Sequence, residues 1–582
     1  MHPLRKKSPV KLQQHWQNLI ALSDNQIGLA LLALLAGLAS ALVITLFRLA
    51  IEWPLIYSFG LDNPEHLEQL SQWTRVALLL SGGVLLIVIF QRLPPAQRSV
   101  GVTHVLQRME LHQGYMPRSN MLLQWLAAVI AIVSGHSGGR EGPAIHLGAG
   151  TASQLGQAAG LAHHRLRILA GAGVASAISA SFNTPMAGVI FAMEVVLLEY
   201  SIRGFIPIIL ASVAGAIVSR VVFGSATAFD VPALDMHSLL EVPFILLLGL
   251  LAGVVAAGFI RLMTQLQRLN SLPLVVKWGG LTLTTVLLSL YLPEVLGIGY
   301  DTVNDALAGK VVIGMLAGLL LAKLFLGAWA AAVGFPVGLI GPTLFIGAAL
   351  GGLFGQLLAN LFSSLPLSVG FYAMLGMGAL MGATLRAPLA ALVALLELTA
   401  NPNIIMPGML VIVVAGLVVS EGFRLPSVFE AQLGGGHNYQ LPQPVQQMLR
   451  NTWVAEVMQQ SFVSTPVEIT TEAAGFMLQR EPDWLLLEQE NLIMPPSALA
   501  EALQQQEADN NSDRINLLKI PADREPVARI SLKANLQDAL DLMQQHDLQW
   551  LAVYRDNELT RCAGLVSRTH IDHFYQYQPR GR

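Results

Sequence analysis

The segment SGHSGGREGPAIHLGAG, Ser134 to Gly150, places an arginine, a glutamate, a proline and a run of glycines among long apolar stretches. A glycine-rich turn followed by a helix start leaves N–H groups at the positive end of the helix dipole. Glycine lets a ligand approach that backbone closely, and proline in the first turn forfeits no needed hydrogen bond. Such a helix start suits an anion. Glu141 is then a tethered anion, able to occupy the same amides and block them, and its protonation or displacement by a permeant anion would open the path. The competing reading is that the glycines pack helices closely and that Arg140 and Glu141 form a buried ion pair.

Duplication favours the first reading. Gly142-Pro143, Gly148-Ala149 and Gly156-Gln157 recur as Gly341-Pro342, Gly347-Ala348 and Gly355-Gln356, always 199 residues on. Pro185, Ala187 and Glu194 return as Pro388, Ala390 and Glu397 at an offset of 203. Two such halves aim two helix starts, GREGP and GLIGP, at one point, with the carboxylate in one half only. Duplicated halves with the substrate between them are a common transporter plan. The pattern leaves open whether the halves are inverted or parallel.

These motifs require a membrane scaffold. The 582 residues are 53% hydrophobic and 12% charged, and the mean hydropathy of +0.56 is too apolar for a large soluble enzyme. Ile27–Phe47 carries no charge and is long enough to cross a bilayer core of ~30 Å. Further apolar runs at Val76–Phe90, Met121–Val133, Ile206–Val222, Phe244–Ile260 and Ile404–Ser420 are shorter or cut by Gly and Pro, as in tilted or broken helices. The basic MHPLRKKSPVK terminus reads as cytoplasmic under the positive-inside rule, with no cleavage site after it. The lone Cys562 excludes a disulfide framework or a cysteine-based zinc site, and the net charge of −3 says nothing about partners.

Hydropathy falls after about Leu433. The expected organisation is a cytoplasmic segment over 1–26, membrane halves over 27–235 and 236–433, a linker over 434–450, and a soluble α/β region over 451–582. That region repeats in turn: Ala473, Met477, Trp484, Leu485 and Asn491 return as Ala539, Met543, Trp550, Leu551 and Asn557 at an offset of 66. Each unit, about 451–510 and 520–582, reads as a helix and a short apolar strand, WLLLEQ or WLAVYR, followed by a turn.

GREGP with Gly334–Pro342 (GFPVGLIGP), FNTPMAGVIFAMEV (Phe182–Val195), SVFEAQL (Ser427–Leu433) and the paired tail units resemble the CLC family of chloride channels and chloride/proton antiporters. The resemblance covers nearly the whole chain. It implies an all-α polytopic membrane domain with an inverted repeat, a cytoplasmic α/β CBS pair, a homodimer with two parallel pores, and a multi-pass inner-membrane protein with cytoplasmic termini. Glu141 matches the family's gating glutamate, with Arg140 and Gly142 beside it. Gly338, Leu339 and Ile340 match the helix start whose amides face the central anion, and Arg98–Val105 (RSVGVTHV) matches the first anion motif, so Ser99, Val100 and Gly101 join the anion-binding set.

Three departures from the family pattern matter. Val100 stands where the family has a serine, with Ser99 one residue earlier, and Phe429 stands for the tyrosine at the inner end of the site. Two hydroxyl donors are thereby lost, which implies a weaker central site, because donors compensate anion desolvation. Val195 occupies the antiporters' proton-relay position and cannot carry a proton. The expectation is therefore a gated anion channel, chloride foremost, with an antiporter using another proton path as the alternative and a CBS-regulated cation channel as a distant one.

Several other residues read as structural. Glu194 is mirrored by Glu397 in a half that needs no relay, and Arg386 reads as a helix-end partner for a carbonyl or Glu397. His136, His146, His163 and His164 lack a converging carboxylate or cysteine set, so no metal is expected, and His104 is a candidate pH-sensitive group near the inner mouth. No cofactor is expected. CBS pairs often bind adenine nucleotides, but His570 falls where the family's ribose-contacting aspartate is usual, which favours a structural, dimer-stabilising tail. No paired carboxylates or nucleophile–base set suggest an enzyme.

Overall fold

The computed structural model describes residues 26–434 and 449–577, apart from 201, 226–228, 230–235, 237, 363–364, 366, 451, 510–512 and 556–557. The basic terminus, nearly all of the expected linker and Asn557 lie outside the described residues. Two compact units separate by contacts, one within 1–440 and one comprising 441–582 with 162–164.

In the first unit, α1 (Gln26–Trp53), α2 (Gln72–Arg92), α3 (Gly101–Leu111), α4 (Arg118–Val133), α5 (Glu141–Ala158), α6 (His163–Phe182), α7 (Pro185–Phe191) and α8 (Ile202–Phe223) make the first half. The second half is α9 (Val242–Leu266), α10 (Leu274–Tyr291), α11 (Tyr300–Leu307), α12 (Ile313–Ala332), α13 (Ile340–Leu361), α14 (Val369–Leu385), α15 (Pro388–Thr399), α16 (Ile405–Leu417) and α17 (Val428–Gln432). Among the described residues, eight helical segments are long and apolar enough to cross a bilayer, and α4, α14 and α15 are shorter apolar helices. Leu31, Leu35, Leu42 and Leu46 expose one flank of α1, as a lipid-facing helix does. Every residue of α14 from Gly370 to Leu385 is buried, the pattern of a helix enclosed by others.

Glycines let the enclosed helices touch. A Cβ on Gly148 of α5 would run into the Gly173 carbonyl of α6, and a Cβ on Gly347 of α13 into the Gly376 carbonyl of α14. These are the same contact in the two halves, since 148 and 347 differ by 199 and 173 and 376 by 203.

The halves also grip each other reciprocally. Glu194 accepts hydrogen bonds from the Leu389 and Ala390 amides at 3.2 and 2.7 Å, at the start of α15. Glu397 accepts from Met186 and Ala187 at 3.0 and 2.8 Å, at the start of α7. Each carboxylate thus satisfies two orphan amides and faces the positive end of the other half's helix. Gly139 and its repeat mate Gly338 form an antiparallel bridge. A residue that pairs with its own repeat mate lies on a two-fold axis between the halves. Asn183 and Arg386, also repeat mates, both adopt left-handed backbone, with φ of 59° and 55°. The expected partner of Arg386 is corrected here: its guanidinium lies 3.5 Å from Glu430, because the carboxylate of Glu397 is already engaged by the α7 amides.

The second unit is a six-stranded sheet, ordered β1 (Phe462–Thr465), β3 (Trp484–Leu487), β4 (Leu492–Met494), β6 (Glu525–Ser531), β7 (Trp550–Arg555) and β8 (Glu558–Ser567), beside a pair formed by β2 (Glu468–Thr470) and β5 (Arg514–Asn516). β1 and β3 pair in parallel around the helix Thr471–Leu478, as β6 and β7 do around Leu536–His546, and each parallel pair is extended by an antiparallel strand. Trp484 and Trp550, repeat mates, meet with ring centroids 4.8 Å apart. This duplicated α/β arrangement is consistent with a CBS pair.

Candidate anion site and gate

The two glycine-rich helix starts converge as the repeat requires. The Gly139 amide donates to the Gly338 carbonyl at 2.9 Å, and the Gly338 amide donates to the Gly139 carbonyl at 2.7 Å. A Cβ on Gly142 would stand 2.7 Å from Gly338 Cα, so only glycine permits this approach. Glu141 is the first residue of α5 and is 1% exposed. Its carboxylate does not turn back on its own helix. Oε2 accepts from the Gly341 amide of α13 at 3.2 Å, and Oε1 accepts a short hydrogen bond from the Tyr300 hydroxyl at the start of α11. A Cβ at Gly139 would land on this carboxylate, so that glycine provides its seat.

Arg140 does not form the local ion pair that competed with this reading. Its guanidinium is 3.5 Å from Glu52 of α1, which also binds Arg48 at 2.5 Å, and it lies 6.0 Å from the centre of the Tyr300 ring. A small recess opens beside it, lined by Glu52, Leu55, Glu65, Leu67, Arg140 and Ile298 among others. Burial pushes the Glu65 carboxyl, on the turn between α1 and α2, up to about 7, against the pull of Arg140.

Two of the expected anion donors are engaged by protein. The Gly338 amide is held in the bridge to Gly139, and the Gly101 amide donates to the Gln124 side chain at 2.5 Å. Leu339 and Ile340, at the cap and first position of α13, keep amides that no helical turn can satisfy. Val100 is the N-cap of α3 and supplies no side-chain cap, while Ser99 is exposed and its carbonyl accepts from Asn120 at 2.9 Å. Phe429 is buried in α17, which packs on α3. Val195 is buried within a π-helical turn, Ala192–Leu197. His104 is buried, with Nδ1 2.7 Å from His146 Nε2 of α5. His136 is held by Ser134 and Thr282 at 2.9 and 3.1 Å.

Tyr300 and Lys323 are the residues that sequence reasoning missed. Lys323, fully buried in α12, donates to the Val295 and Gly297 carbonyls at 3.0 and 2.8 Å and so fixes the turn leading to Tyr300. The available signal was the repeat itself: Tyr300 stands 199 residues after Gly101, and Lys323 199 after Gln124.

Residues 82–420 match the family model described as voltage gated chloride channel. The chain is 30% identical over 411 residues to a putative chloride channel protein, ClcB-like, of Ralstonia nicotianae, covering 69% of this chain and 95% of that protein. It is 29% identical over the same length to a voltage-gated ClC-type chloride channel, ClcB, of Escherichia coli, covering 69% of this chain and 97% of the relative. In fold it is similar to a slow cyanobacterial Cl⁻/H⁺ antiporter, with a TM-score of 0.62, 21% identity and coverage of 70% of this chain and 97% of that one. A eukaryotic CLC transporter matches with a TM-score of 0.59 and 20% identity over 93% of this chain and 97% of its own. A duplicated membrane half, paired glycine-rich helix starts and these matches lead to one conclusion: the chain belongs to the voltage-gated chloride channel family.

Proposed function

We propose that this protein is a gated, passive path for small anions, chloride foremost, with Glu141 as the gate. The observation that carries the reading is the double hold on one carboxylate, by the Gly341 amide of the opposite half and by the Tyr300 hydroxyl. A charged Glu141 fills the place an anion would take on the amides. A protonated Glu141 has lost the charge that the helix dipole favours, and a permeant anion can displace it. Substrate affinity is modest, because Val100 and Phe429 offer no hydroxyl and Gly101 and Gly338 have no amide to spare.

Passive conduction follows from Val195, which carries no proton where the family's antiporters have a relay carboxylate. Coupled anion/proton exchange is the second reading. It is favoured by His104 and His146, a buried imidazole pair with His146 on the gate helix itself, which would stand in for that carboxylate. The paired helix starts disfavour a cation path, which wants an acidic lining.

In this reading the protein is a homodimer in the inner membrane with cytoplasmic termini. The tail pair has a structural, dimer-stabilising role, since His570 is held by Ser567 at 2.5 Å and by Gln459 at 2.8 Å instead of presenting a carboxylate to a ribose. The test is anion efflux from proteoliposomes across pH. Wild-type flux should rise as pH falls, and Glu141→Ala should be fast and far less pH-dependent. An unchanged pH response in that variant would remove Glu141 from the role.

A further inference from the structure

Beside the Glu141 clamp, the short 3₁₀ turn Leu67–Gln69 brings His66 and Glu68 against Asp301, the second residue of α11. One ligand atom from each of the three lies within 4.8 Å of the others, and all three residues are half-buried. The turn is well anchored. Leu67 is 4% exposed and packs close to Gly135 and Gly297, and the Gln69 amide closes the turn on the His66 carbonyl at 3.2 Å. The other wall is equally fixed, because Lys323 holds the carbonyls of Val295 and Gly297 just before α11.

Gln69 Nε2 lies 3.0 Å from His66 Nδ1; turning that amide over lets its oxygen accept from an Nδ1–H and leaves the Nε2 lone pair to bind a metal. The charge is unbalanced. Burial, then Asp301 and Glu294, raise the Glu68 carboxyl above the usual range, with only His66 acting against them among side chains. Among the described residues no lysine or arginine forms an ion pair with Glu68 or Asp301, and the charge of Lys323, which acts favourably on Asp301, is shared with the carbonyls it holds. The cluster offers a cation one imidazole and two carboxylates.

We propose that His66, Glu68 and Asp301 bind a divalent transition-metal cation, Zn²⁺ fitting best, and that the bound ion holds the Tyr300 turn so that Glu141 stays clamped. One imidazole with two carboxylates selects Zn²⁺ over Mg²⁺ or Ca²⁺, which prefer all-oxygen sets, and leaves a position for water. The two carboxylates neutralise the ion's charge. Asp301 is adjacent in the chain to Tyr300, whose hydroxyl holds Glu141. An ion bridging Asp301 to the anchored 66–68 turn therefore removes the freedom that α11 needs to release the gate. The effect on flux rests on the gate reading above; the binding does not.

Two measurements on the full-length, tag-free protein separate these parts. Calorimetric titration with Zn²⁺ in detergent should show one strong site per chain. His66→Ala and Glu68→Gln should each abolish it, Gln69→Ala should weaken it about 10- to 100-fold, and excess Mg²⁺ should not displace Zn²⁺. Equal Zn²⁺ binding in wild type, His66→Ala and Glu68→Gln overturns the site. In proteoliposomes, Zn²⁺ should slow wild-type anion flux but leave Glu68→Gln and Glu141→Ala at their own metal-free rates. Binding lost in the variants with wild-type flux indifferent to Zn²⁺ overturns the link to the gate. Slowing that persists in Glu141→Ala overturns action through the carboxylate. If Glu141→Ala is no faster than wild type, the gate reading fails while the calorimetric result stands.

Discussion

Replacing Tyr300 by phenylalanine removes one atom from the clamp and nothing from the packing. The ring stays against Phe229 and Phe182, with centroids 5.2 and 6.1 Å away. The lost hydroxyl is one of two donors found on the Glu141 carboxylate, and it donates to a charged acceptor. Hydrogen bonds to charged groups contribute about 1.5–3 kcal/mol, against about 1 kcal/mol for neutral pairs. Removing this one shifts the clamped-to-released ratio about 10- to 100-fold towards release. The cost falls on the clamped state alone, because a released carboxylate finds water. Anion efflux from proteoliposomes at neutral pH should therefore rise by up to that factor, approaching but not exceeding the Glu141→Ala rate. The double variant should be no faster than Glu141→Ala, since the hydroxyl acts only through the carboxylate. Two results would refute the reasoning: Tyr300→Phe efflux equal to wild type beside a fast Glu141→Ala, or rate gains that multiply in the double variant.

Three further outcomes follow from the packing. Gly142→Ala puts a Cβ 2.7 Å from Gly338 Cα, so the halves must separate. We expect at least the ~1–3 kcal/mol cost of overpacking and a lower melting temperature in detergent, whereas Gly279→Ala, with nothing within 4 Å, should melt like wild type. Glu194→Gln and Glu397→Gln should destabilise by similar amounts, about 1.5–3 kcal/mol each, because each weakens the same charge-assisted cap in a different half; both should keep a pH-dependent flux, and its loss in Glu194→Gln alone would make that residue a proton carrier. Glu65 should make the fold pH-sensitive: its carboxyl is raised to about 7 from an ordinary value near 4.5, so its stabilisation is complete below about 4.5 and lost as pH rises through about 7. Wild-type melting should fall across that window relative to Glu65→Gln, and parallel curves would contradict the assignment.

Much of the architecture was legible because it depends on local composition and on repetition. Gly142-Pro143 and Gly341-Pro342 mark two helix starts wherever they lie, and a constant offset makes the halves equivalent before any contact is known. Glu194 and Glu397 illustrate how far this reaches: symmetry implied a shared structural role, and the reciprocal caps supply it. What stayed hidden depends on which atoms meet across the two-fold axis. Tyr300 is 159 residues from Glu141 and occupies the repeat position of a glycine, so neither proximity nor residue type announced it. The Gly101 and Gly338 amides were expected to face an anion. Whether a glycine amide is free depends on a neighbour such as Gln124 or Gly139, which no periodicity reveals. Arg386 was offered a carbonyl or Glu397 as a partner, but its guanidinium lies beside Glu430, while the Glu397 carboxylate is held by two backbone donors of the other half.

The most direct test of a passive path gated by Glu141 is a simultaneous record of anion flux and pH in proteoliposomes under a chloride gradient. The account predicts chloride movement without uphill proton movement, accelerated at low pH in the wild type, with Glu141→Ala fast at every pH. Protons driven uphill in a fixed ratio to chloride, and uncoupled by Glu141→Ala, would contradict it and establish exchange.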